Sequence, residues 1–300
     1  MAMVLERLGV VAFKRDARLS ETADSLRRWA LERGVELLWH KSAIAWIPPG
    51  CRAESDASFL RRSQAVLSIG GDGTLLSAAR LLEGRPVPLV GLNYGRLGFL
   101  ADLSAHEGLQ VLDSLACGGN FVEERTALEA VVRRGRRIVH RDRCLNEFFL
   151  RGRRELSMVD LEVVSGGKTL CDYWADGLLV ATPTGSTAYS LAVGGPIVEH
   201  SVKCLILTPV APHSLNVRPM VLPDDRPLVL RPRSGGPFLL LSDGRNPFPL
   251  QALDEVRVTR SARPVYLLRP TGATFSDALR DKLGWSGGPP TRGGPTWKSA

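Results

Sequence analysis

The sequence predicts two domains, an α/β domain with a parallel, Rossmann-like sheet and an all-β sandwich behind it. Three hundred residues exceed what one small core needs and fit two domains. Before about residue 118, apolar runs alternate with segments of helical spacing, which is typical of a parallel sheet. After it, β-rich pieces follow one another through glycine and arginine turns, with a hairpin predicted at Gly166 and Gly167, which is typical of a sandwich. We expect domains over 1–118 and 119–274, a C-terminal helix over 275–285 and a flexible tail over 286–300.

Strands and helices alternate in the first half. Apolar runs at 8–13, 35–39, 65–69 and 89–92 predict strands buried on both faces. Ser20 favours the N-cap of a helix that ends near Gly34, and a further helix follows Ser104. Residues 47–58 contain two prolines and a glycine, so we expect a loop there.

The composition is that of an ordinary globular protein, with 44% hydrophobic and 23% charged residues. No apolar run approaches the roughly 20 residues of a membrane span, and the N-terminus lacks the layout of a signal peptide. We therefore expect a cytoplasmic protein with no membrane partner. The five cysteines are widely spaced without a C-x-x-C pair, which indicates buried, reduced thiols rather than a disulfide frame or a zinc site.

The net charge of +8 comes almost wholly from arginine, which suits phosphate through bidentate hydrogen bonds and so favours an anionic ligand. Nine arginines between residues 133 and 154 could indicate a surface that binds nucleic acid. They lack interleaved aromatic residues and alternate with strand-like positions, which is typical of a solvated sheet face. We expect no nucleic-acid partner.

The run V-L-S-I-G-G-D-G-T-L-L combines a strand end, a tight turn and a helix start. Main-chain N–H groups of Gly70, Gly71, Gly73 and Thr74, with the positive end of the helix dipole, suit the phosphates of a donor. A carboxylate in such a cradle is unfavourable unless it acts, so Asp72 indicates a proton acceptor, or an organiser of a hydroxyl or metal. The alternative is a glycine-rich turn in which Asp72 only caps the helix.

A second polar cluster lies at 182–190, where T-P-T-G-S-T-A-Y-S carries six hydroxyl groups. A site for a sugar, adenine or phosphate needs so many donors, whereas a plain turn does not. The alternative is a Ser/Thr turn that caps the helix after Thr187.

Together, and in this order, the motifs resemble the NAD kinase (ATP-NAD kinase) family. The match consists of G-G-D-G-T at 70–74, N-E at 146–147, D-G at 176–177 and T-P-T-G-S-T-A-Y-S at 182–190. Further matches are G-x-N-x-G-x-L-G-F-L at 91–100, G-G-P at 194–196, P-H-S-L at 212–215, R-P at 218–219 and K-L-G-W at 282–285. The likeness covers roughly residues 8–285. G-G-D-G alone is shared with lipid kinases and phosphofructokinases, but the T-P-T-G block is far more specific.

The resemblance implies an enzyme that transfers the γ-phosphate of ATP, or phosphate from polyphosphate, to the 2′-hydroxyl of the adenosine ribose of NAD. The product is NADP. It implies Mg²⁺ that enters with ATP, and we find no dedicated metal-ligand cluster on the chain. It also implies a homodimer or homotetramer in which a neighbouring subunit completes the site, and a last helix that packs back on the first domain.

The resemblance gives Asp72 the role of proton acceptor. Asn146 and Glu147 would fix ribose hydroxyls, with a polar pair at a strand bend as the alternative. The NAD site that it implies contains Asp72, Gly73, Phe99, Asn146, Glu147, Asp176, Thr184, Thr187, Ala188, Tyr189, Ser190, Leu191 and Ala192. In it, Thr184 and its neighbours line the adenine and ribose pocket, and Asp176 holds the nicotinamide half. Phe99 is expected against a ring face, or alternatively in the core.

Two departures from the family pattern affect the site. Trp174 stands where many members have a basic residue, which leaves phosphate contacts and the choice between NAD and NADH open; we expect a stacking surface there. In S-D-G-R, Asp243 is expected to reach NAD in the adjacent subunit, and Arg245 is added as a further NAD contact.

Two other functions stay open at this point. A lipid or sugar kinase of the wider G-G-D-G superfamily is disfavoured by residues 182–190. A catalytically silent NAD(P)-binding sensor is disfavoured by Asp72, because binding alone would favour removal of a buried negative charge from a phosphate site.

Overall fold

The computed structural model of the chain describes residues 5–12, 18–47, 50–93, 98–101, 103–116, 122–153, 158–234, 237–270, 272 and 274–285. In chain order the helices are α1 (Arg18–Arg33), α2 (Asp56–Arg62), α3 (Asp72–Leu81), α4 (Ala105–Ala116), α5 (Tyr189–Ala192) and α6 (Phe275–Leu283). Short 3₁₀ turns occupy Lys41–Trp46 and Thr184–Thr187. The predicted tail at 286–300 and the predicted boundary at 118–119 lie outside the described residues.

The first ten strands are β1 (Arg7–Val11), β2 (Glu36–His40), β3 (Ala53–Glu54), β4 (Ala65–Gly70), β5 (Leu89–Asn93), β6 (Val122–Arg125), β7 (Leu128–Arg134), β8 (Arg137–Cys144), β9 (Glu147–Gly152) and β10 (Val159–Ser165). The others are β11 (Lys168–Ala175), β12 (Gly177–Ala181), β13 (Cys204–Val210), β14 (Met220–Pro223), β15 (Leu228–Ser234), β16 (Phe238–Ser242), β17 (Arg245–Leu250), β18 (Asp254–Arg260) and β19 (Val265–Leu268).

The first domain is built on a seven-stranded sheet in the order β3-β2-β1-β4-β5-β19-β6. All neighbouring strands are parallel except β19 and β6. Strand order reverses between β1 and β4, and ligands of such sheets bind outside the carboxyl ends of the strands at this reversal. β4 ends there, at Gly70, which places the glycine-rich turn where a ligand site is expected.

Helices cover both faces of this sheet, as a parallel sheet requires. On one face, α1 and α4 bury Leu26 and Leu112 against inward residues of the strands such as Leu67. On the other face, α2 and α3 bury Phe59 and Leu75. Because helices cover both faces of the sheet, side chains on both sides of these strands are buried. This accounts for the continuous apolar runs in the sequence.

The second domain is a sandwich of two six-stranded antiparallel sheets, ordered β11-β10-β15-β18-β7-β8 and β14-β13-β12-β9-β16-β17. Alternate residues of both sheets meet in one apolar core, in which Phe148 and Phe238 are the largest fully buried side chains. The predicted hairpin at Gly166 and Gly167 is present, and both glycines have positive φ, at 58° and 79°.

The structure corrects three expectations about the fold. The segment predicted as a loop at 47–58 contains β3 and the start of α2, whose N-cap Ser55 accepts a hydrogen bond from Ser58 N–H. The first helix begins at Arg18, before the predicted cap Ser20. β6 and β19 belong to the first sheet, so the sandwich spans β7 to β18 rather than 119–274. No cysteine of the described chain is in a disulfide, but Cys51 is exposed rather than buried.

One ion pair joins β7 to β18 at the edge of the sandwich core. Asp254 is fully buried, and its two carboxylate oxygens accept from Nε and Nη2 of Arg134, both at 2.8 Å. Arg134 is half-exposed, and the neighbouring Arg133 is exposed on the opposite face of the same strand. The outer arginine-rich face is thus a solvated sheet surface, whereas the Arg134–Asp254 pair lies on the core-facing side.

We predict that Arg134→Met lowers the free energy of unfolding by clearly more than an ordinary surface substitution does, because the buried Asp254 carboxylate loses its cationic partner and keeps the N–H of Gln251. Urea denaturation at pH 7 measures this loss. The matched control Arg133→Met changes the free energy of unfolding by less than about 0.5 kcal/mol. Equal losses for the two variants would contradict the assignment.

Candidate active site

The glycine-rich turn joins β4 to α3 at the edge of the first sheet. Gly70 has a φ of 154°, and a Cβ there would lie 2.3 Å from Thr74 Oγ1, so only glycine fits. Gly71 and Gly73 do not have positive φ. The N–H of Thr74 donates to Gly71 O at 2.9 Å, so Thr74, contrary to expectation, has no free N–H for a donor phosphate. The remaining N–H groups of the first turn lack partners within a helix.

Asp72 clamps the segment that follows β5. Its Oδ2 accepts from Phe99 N–H at 2.9 Å, and its Oδ1 accepts from the N–H groups of Leu100 at 3.1 Å and Ala101 at 2.8 Å. The N-cap of α3 is Gly71, which makes no side-chain cap, so the alternative in which Asp72 caps the helix is wrong. A Cβ on Gly98 would lie 1.9 Å from Asp72 Oδ1, so this contact also requires a glycine.

Asp243 clamps a second segment in the same way. Its carboxylate accepts from the N–H groups of Leu145 at 3.1 Å, Asn146 at 2.8 Å and Glu147 at 3.4 Å. Its side chain is only 5% exposed and its φ is 48°, in the turn between β16 and β17. These three bonds give Asp243 a role within its own chain, and its expected contact with NAD in an adjacent subunit stays a prediction.

The 182–190 segment packs directly on Asn146. Thr182 N–H donates to Asn146 O at 2.9 Å, and Thr182 Oγ1 donates to Leu145 O at 2.7 Å and accepts from Gly185 N–H at 3.0 Å. A Cβ on Gly185 would lie 2.2 Å from Asn146 O. The two motifs, nearly 40 residues apart in sequence, therefore form one surface.

Three buried polar atoms on this surface have no hydrogen-bond partner among the described residues. They are Asn146 Oδ1, Glu147 Oε2 and Thr184 Oγ1. A buried polar atom without a partner costs free energy, and natural proteins keep few of them. Such atoms also occur elsewhere in the described chain, at Trp39 Nε1 and Ser68 Oγ for example, but these three share one surface, where a polar ligand can supply the missing hydrogen bonds.

The surroundings of Glu147 favour its neutral, protonated form. Burial raises its pKa, and the nearby Asp243 carboxylate adds to the effect, so that the pKa of Glu147 is about 8. Burial likewise raises the pKa of Asp243, although the three N–H donors and Arg80 oppose this. A neutral Glu147 carboxyl group can donate as well as accept a hydrogen bond.

The other predicted residues of 182–190 differ in how accessible they are. Thr184 is buried, Thr187 is half-buried and donates to Thr184 O at 3.2 Å, and Tyr189 is 41% exposed, with its ring 5.3 Å from that of Phe149. Ser190 is corrected as a direct contact, because it is fully buried and its Oγ is bonded to Thr208 Oγ1 at 3.0 Å. Of the remaining residues predicted to bind NAD here, Ala188 and Leu191 are half-buried and Ala192 is exposed.

A cavity of about 170 Å³ joins the Asp72 loop to the 182–190 segment. Phe99 and Leu100 line it from the first domain, Thr184 and Thr187 from the second, and Phe275 from α6. Phe99 is half-buried, with Lys282 Nζ 5.0 Å from its ring centre, so it lies at the cavity wall rather than in the core. This contact also brings α6 against the first domain.

An arginine of the second domain reaches the glycine-rich turn. Arg245 Nη1 donates to Ser77 Oγ at 2.8 Å, and its Nη2 lies 3.7 Å from where a Cβ of Gly73 would stand. Arg245 is exposed, so its charge faces solvent beside the first turn of α3. Arg245 belongs to the same chain as the turn and contacts the side of α3 through Ser77.

Trp174 and Asp176 lie at the rim. Trp174 is 60% exposed, with its ring 5.2 Å from that of His213, whose N–H donates to Trp174 O at 2.8 Å. Asp176 is exposed. Neither is part of the network around Asn146. An exposed aromatic pair of this kind is available for stacking.

The sequence did not predict several residues of the site. Arg80 donates to Ser242 O at 2.7 Å across 162 residues, and His200 pairs with Glu123 beside the cavity. No local pattern links such distant partners. In the described part of the chain, no group of three His, Cys, Asp or Glu residues could hold a metal ion, and no helix is long and apolar enough to cross a bilayer.

Comparison with known proteins gives one consistent result. Residues 8–119 match the family described as ATP-NAD kinase N-terminal domain, and residues 145–270 match ATP-NAD kinase C-terminal domain. The NAD kinase of Gemmatimonas aurantiaca is 42% identical over 283 residues, covering 94% of this chain and 96% of that protein. The NAD kinase of Methylococcus capsulatus is 36% identical, covering 90% and 93%.

Solved structures agree with the fold. The crystal structure of an NAD kinase from Archaeoglobus fulgidus in complex with ATP has a TM-score of 0.72 and 25% identity, covering 93% of this chain and 97% of that one. The yeast NADH kinase complexed with NADH has a TM-score of 0.83 at 22% identity, covering 95% and 89%. The α/β domain, the β-sandwich and the family predicted from the motifs are confirmed: the chain belongs to the ATP-NAD kinase family.

Proposed function

We propose that this protein is an NAD kinase, which transfers the γ-phosphate of ATP to the 2′-hydroxyl of the adenosine ribose of NAD and releases NADP. The observation that carries the proposal is the group of unpartnered buried atoms on Asn146, Glu147 and Thr184. They lie on a surface that adjoins the cavity beside the Asp72 loop. The relatives named NAD kinase and the ATP complex of the A. fulgidus protein support the same reaction.

The acceptor nucleoside binds on this surface. Its adenine enters the cavity between Phe99 and Thr187, and Thr184 Oγ1 supplies a hydrogen bond. The ribose hydroxyls bond to Asn146 Oδ1 and to the carboxyl group of Glu147. Ala188, Tyr189, Leu191 and Ala192 extend the wall, and Asp176 and Trp174 at the rim hold the nicotinamide half.

Asp72 accepts the proton of the 2′-hydroxyl. A carboxylate has about four lone-pair positions, and three are filled by the N–H groups of 99–101, so Oδ2 keeps one for the hydroxyl. As the ribose oxygen bonds to the γ-phosphorus, the bond from that phosphorus to the bridging oxygen of ADP breaks and the proton passes to Asp72. The three N–H donors hold the carboxylate in place during the transfer.

The donor phosphates lie against the N–H groups of Gly70 at the end of β4 and of Gly71 and Gly73 at the start of α3. Here we assign Arg245 to the donor rather than to NAD, because its guanidinium lies beside Gly73 and Ser77. Its positive charge would stabilise the charge that spreads over the transferring phosphoryl group. Mg²⁺ chelated by the donor phosphates needs few protein ligands. Polyphosphate as a donor, a homodimer or homotetramer and a cytoplasmic location stay predictions.

The reaction is tested by incubating the protein with NAD, ATP and Mg²⁺ and reading NADP with an NADP-specific dehydrogenase. We expect Asp72→Asn to lower kcat by at least about 100-fold, because the proton acceptor is lost. The control Asp225→Asn, an exposed aspartate away from the site, keeps kcat. A wild-type protein that binds NAD but forms no NADP with ATP or polyphosphate would reject the kinase proposal and favour a sensor.

The variant Arg245→Met tests whether Arg245 contacts the phosphate donor or the acceptor NAD. We expect kcat/KM for ATP to fall by about tenfold or more, through a higher KM, a lower kcat or both, because one charge-assisted contact to phosphate is worth about 1.5–3 kcal/mol. The KM for NAD stays unchanged. Arg257→Met, an exposed arginine on β18, is the control. A rise in the KM for NAD alone would return Arg245 to its predicted role as an NAD contact.

Glu147→Gln tests the protonation of the acceptor site. The unfolded chain loses this proton near pH 4.5, whereas the folded protein keeps it to about pH 8, so Glu147 makes the free energy of unfolding fall as pH rises between these values. The glutamine variant lacks this contribution. Urea denaturation of the ligand-free protein from pH 5 to pH 9 should show a smaller loss for the variant, and identical slopes would show that Glu147 is ionised.

A further inference from the structure

Arg80 connects the helix of the phosphate loop to the sandwich. It lies near the C-terminal end of α3, and its Nη2 donates to Ser242 O at 2.7 Å. Its guanidinium also lies 3.6 Å from an oxygen of Asp142 and 3.9 Å from an oxygen of Asp243. Ser242 Oγ in turn bonds to Asp142. The cluster Arg80, Asp142, Ser242 and Asp243 is called the interdomain latch below.

The latch is sheltered from solvent, which distinguishes it from surface ion pairs. The side chains of Arg80, Asp142 and Asp243 are 25%, 16% and 5% exposed. Surface pairs are worth little, whereas removal of one partner from a sheltered pair leaves charges without compensation. Without Arg80, the two aspartates would face each other with no cation of the latch between them.

The latch connects two parts of the site, the Asp72 turn through α3 and the Asn146–Glu147 segment through Asp243. Asp72 begins α3 and Arg80 lies eight residues further along, about 12 Å at 1.5 Å per residue, so the rigid helix transmits the position of one to the other. At the other end, Asp243 holds the N–H groups of Asn146 and Glu147. The latch therefore ties the proton acceptor to the segment that binds the ribose.

We propose that Arg80 is a positioning residue, which fixes the distance between Asp72 and the Asn146–Glu147 segment by bonding α3 to the turn that carries Asp243. The inference rests on the proposed function, since it concerns the alignment of the 2′-hydroxyl with its proton acceptor. A displacement of about 1 Å at this point is enough to cost roughly 100-fold in rate. Arg80 does not line the cavity assigned to the nucleotide.

Steady-state kinetics of Arg80→Met test the proposal. We expect kcat/KM for NAD to fall by about 10- to 100-fold. The KM for ATP should stay within about threefold of the wild-type value, because the N–H groups that hold the donor move with α3 as one body. The control is Arg85→Met, an exposed arginine just beyond the same helix, which keeps both constants.

A double-mutant cycle with Asp243→Asn measures the coupling. If both residues act through one latch, the double variant loses no more kcat/KM for NAD than the worse single variant. Additive losses would overturn the proposal. So would a merely structural outcome, in which Arg80→Met lowers the melting temperature but leaves kcat and the KM for NAD of the folded fraction unchanged. Wild-type activity, measured in parallel, tests the kinase reaction separately from the latch.

Discussion

Two aspartates fix the backbone of the site by the same interaction, a carboxylate that accepts hydrogen bonds from three consecutive backbone N–H groups. Asp72 holds 99–101 in the first domain, and Asp243 holds 145–147 in the second. Residues 99–101 lie outside the strands, and of residues 145–147 only Glu147 belongs to a strand, β9. Charge-assisted hydrogen bonds of this kind are stronger than neutral ones, so they can fix irregular backbone. The site depends on both, because each segment carries residues assigned to the nucleotide.

The arginines of the chain serve two different purposes. Most arginines of β7 and β8 are exposed to solvent, whereas Arg134 points to the core side of the sheet and pairs with the buried Asp254. Arg80 and Arg245 instead lie along one side of α3, where they bond to the second domain or reach from it. Arginine suits this position because its planar fork bonds to two partners at once. The same residue type thus gives solubility in one place and alignment in another.

Much of the fold and the motifs of the site followed from the sequence, because their signals are local. The apolar run into Gly70, the hairpin at Gly166 and the helix at 275–283 each depend on neighbours within a few residues. The roles of Asp243 and Ser190 did not follow. Their partners lie about 97 and 18 residues away, so nothing in their own surroundings indicated that their polar atoms were already used. Strands β6 and β19 were misassigned for the same reason, since their pairing spans the whole sandwich.

The pairing of β6 with β19 makes the sandwich an insertion. Val265 is paired with Arg125, so the chain leaves the first sheet and re-enters it at adjacent positions. The α/β domain therefore cannot complete its sheet during synthesis until the ribosome has released the entire second domain. β5 and β19 also pair, so β5 remains an open edge until then. A fragment cut at the apparent boundary after α4 would expose that edge, whereas a short linker from β6 to β19 would close it and give a self-contained domain.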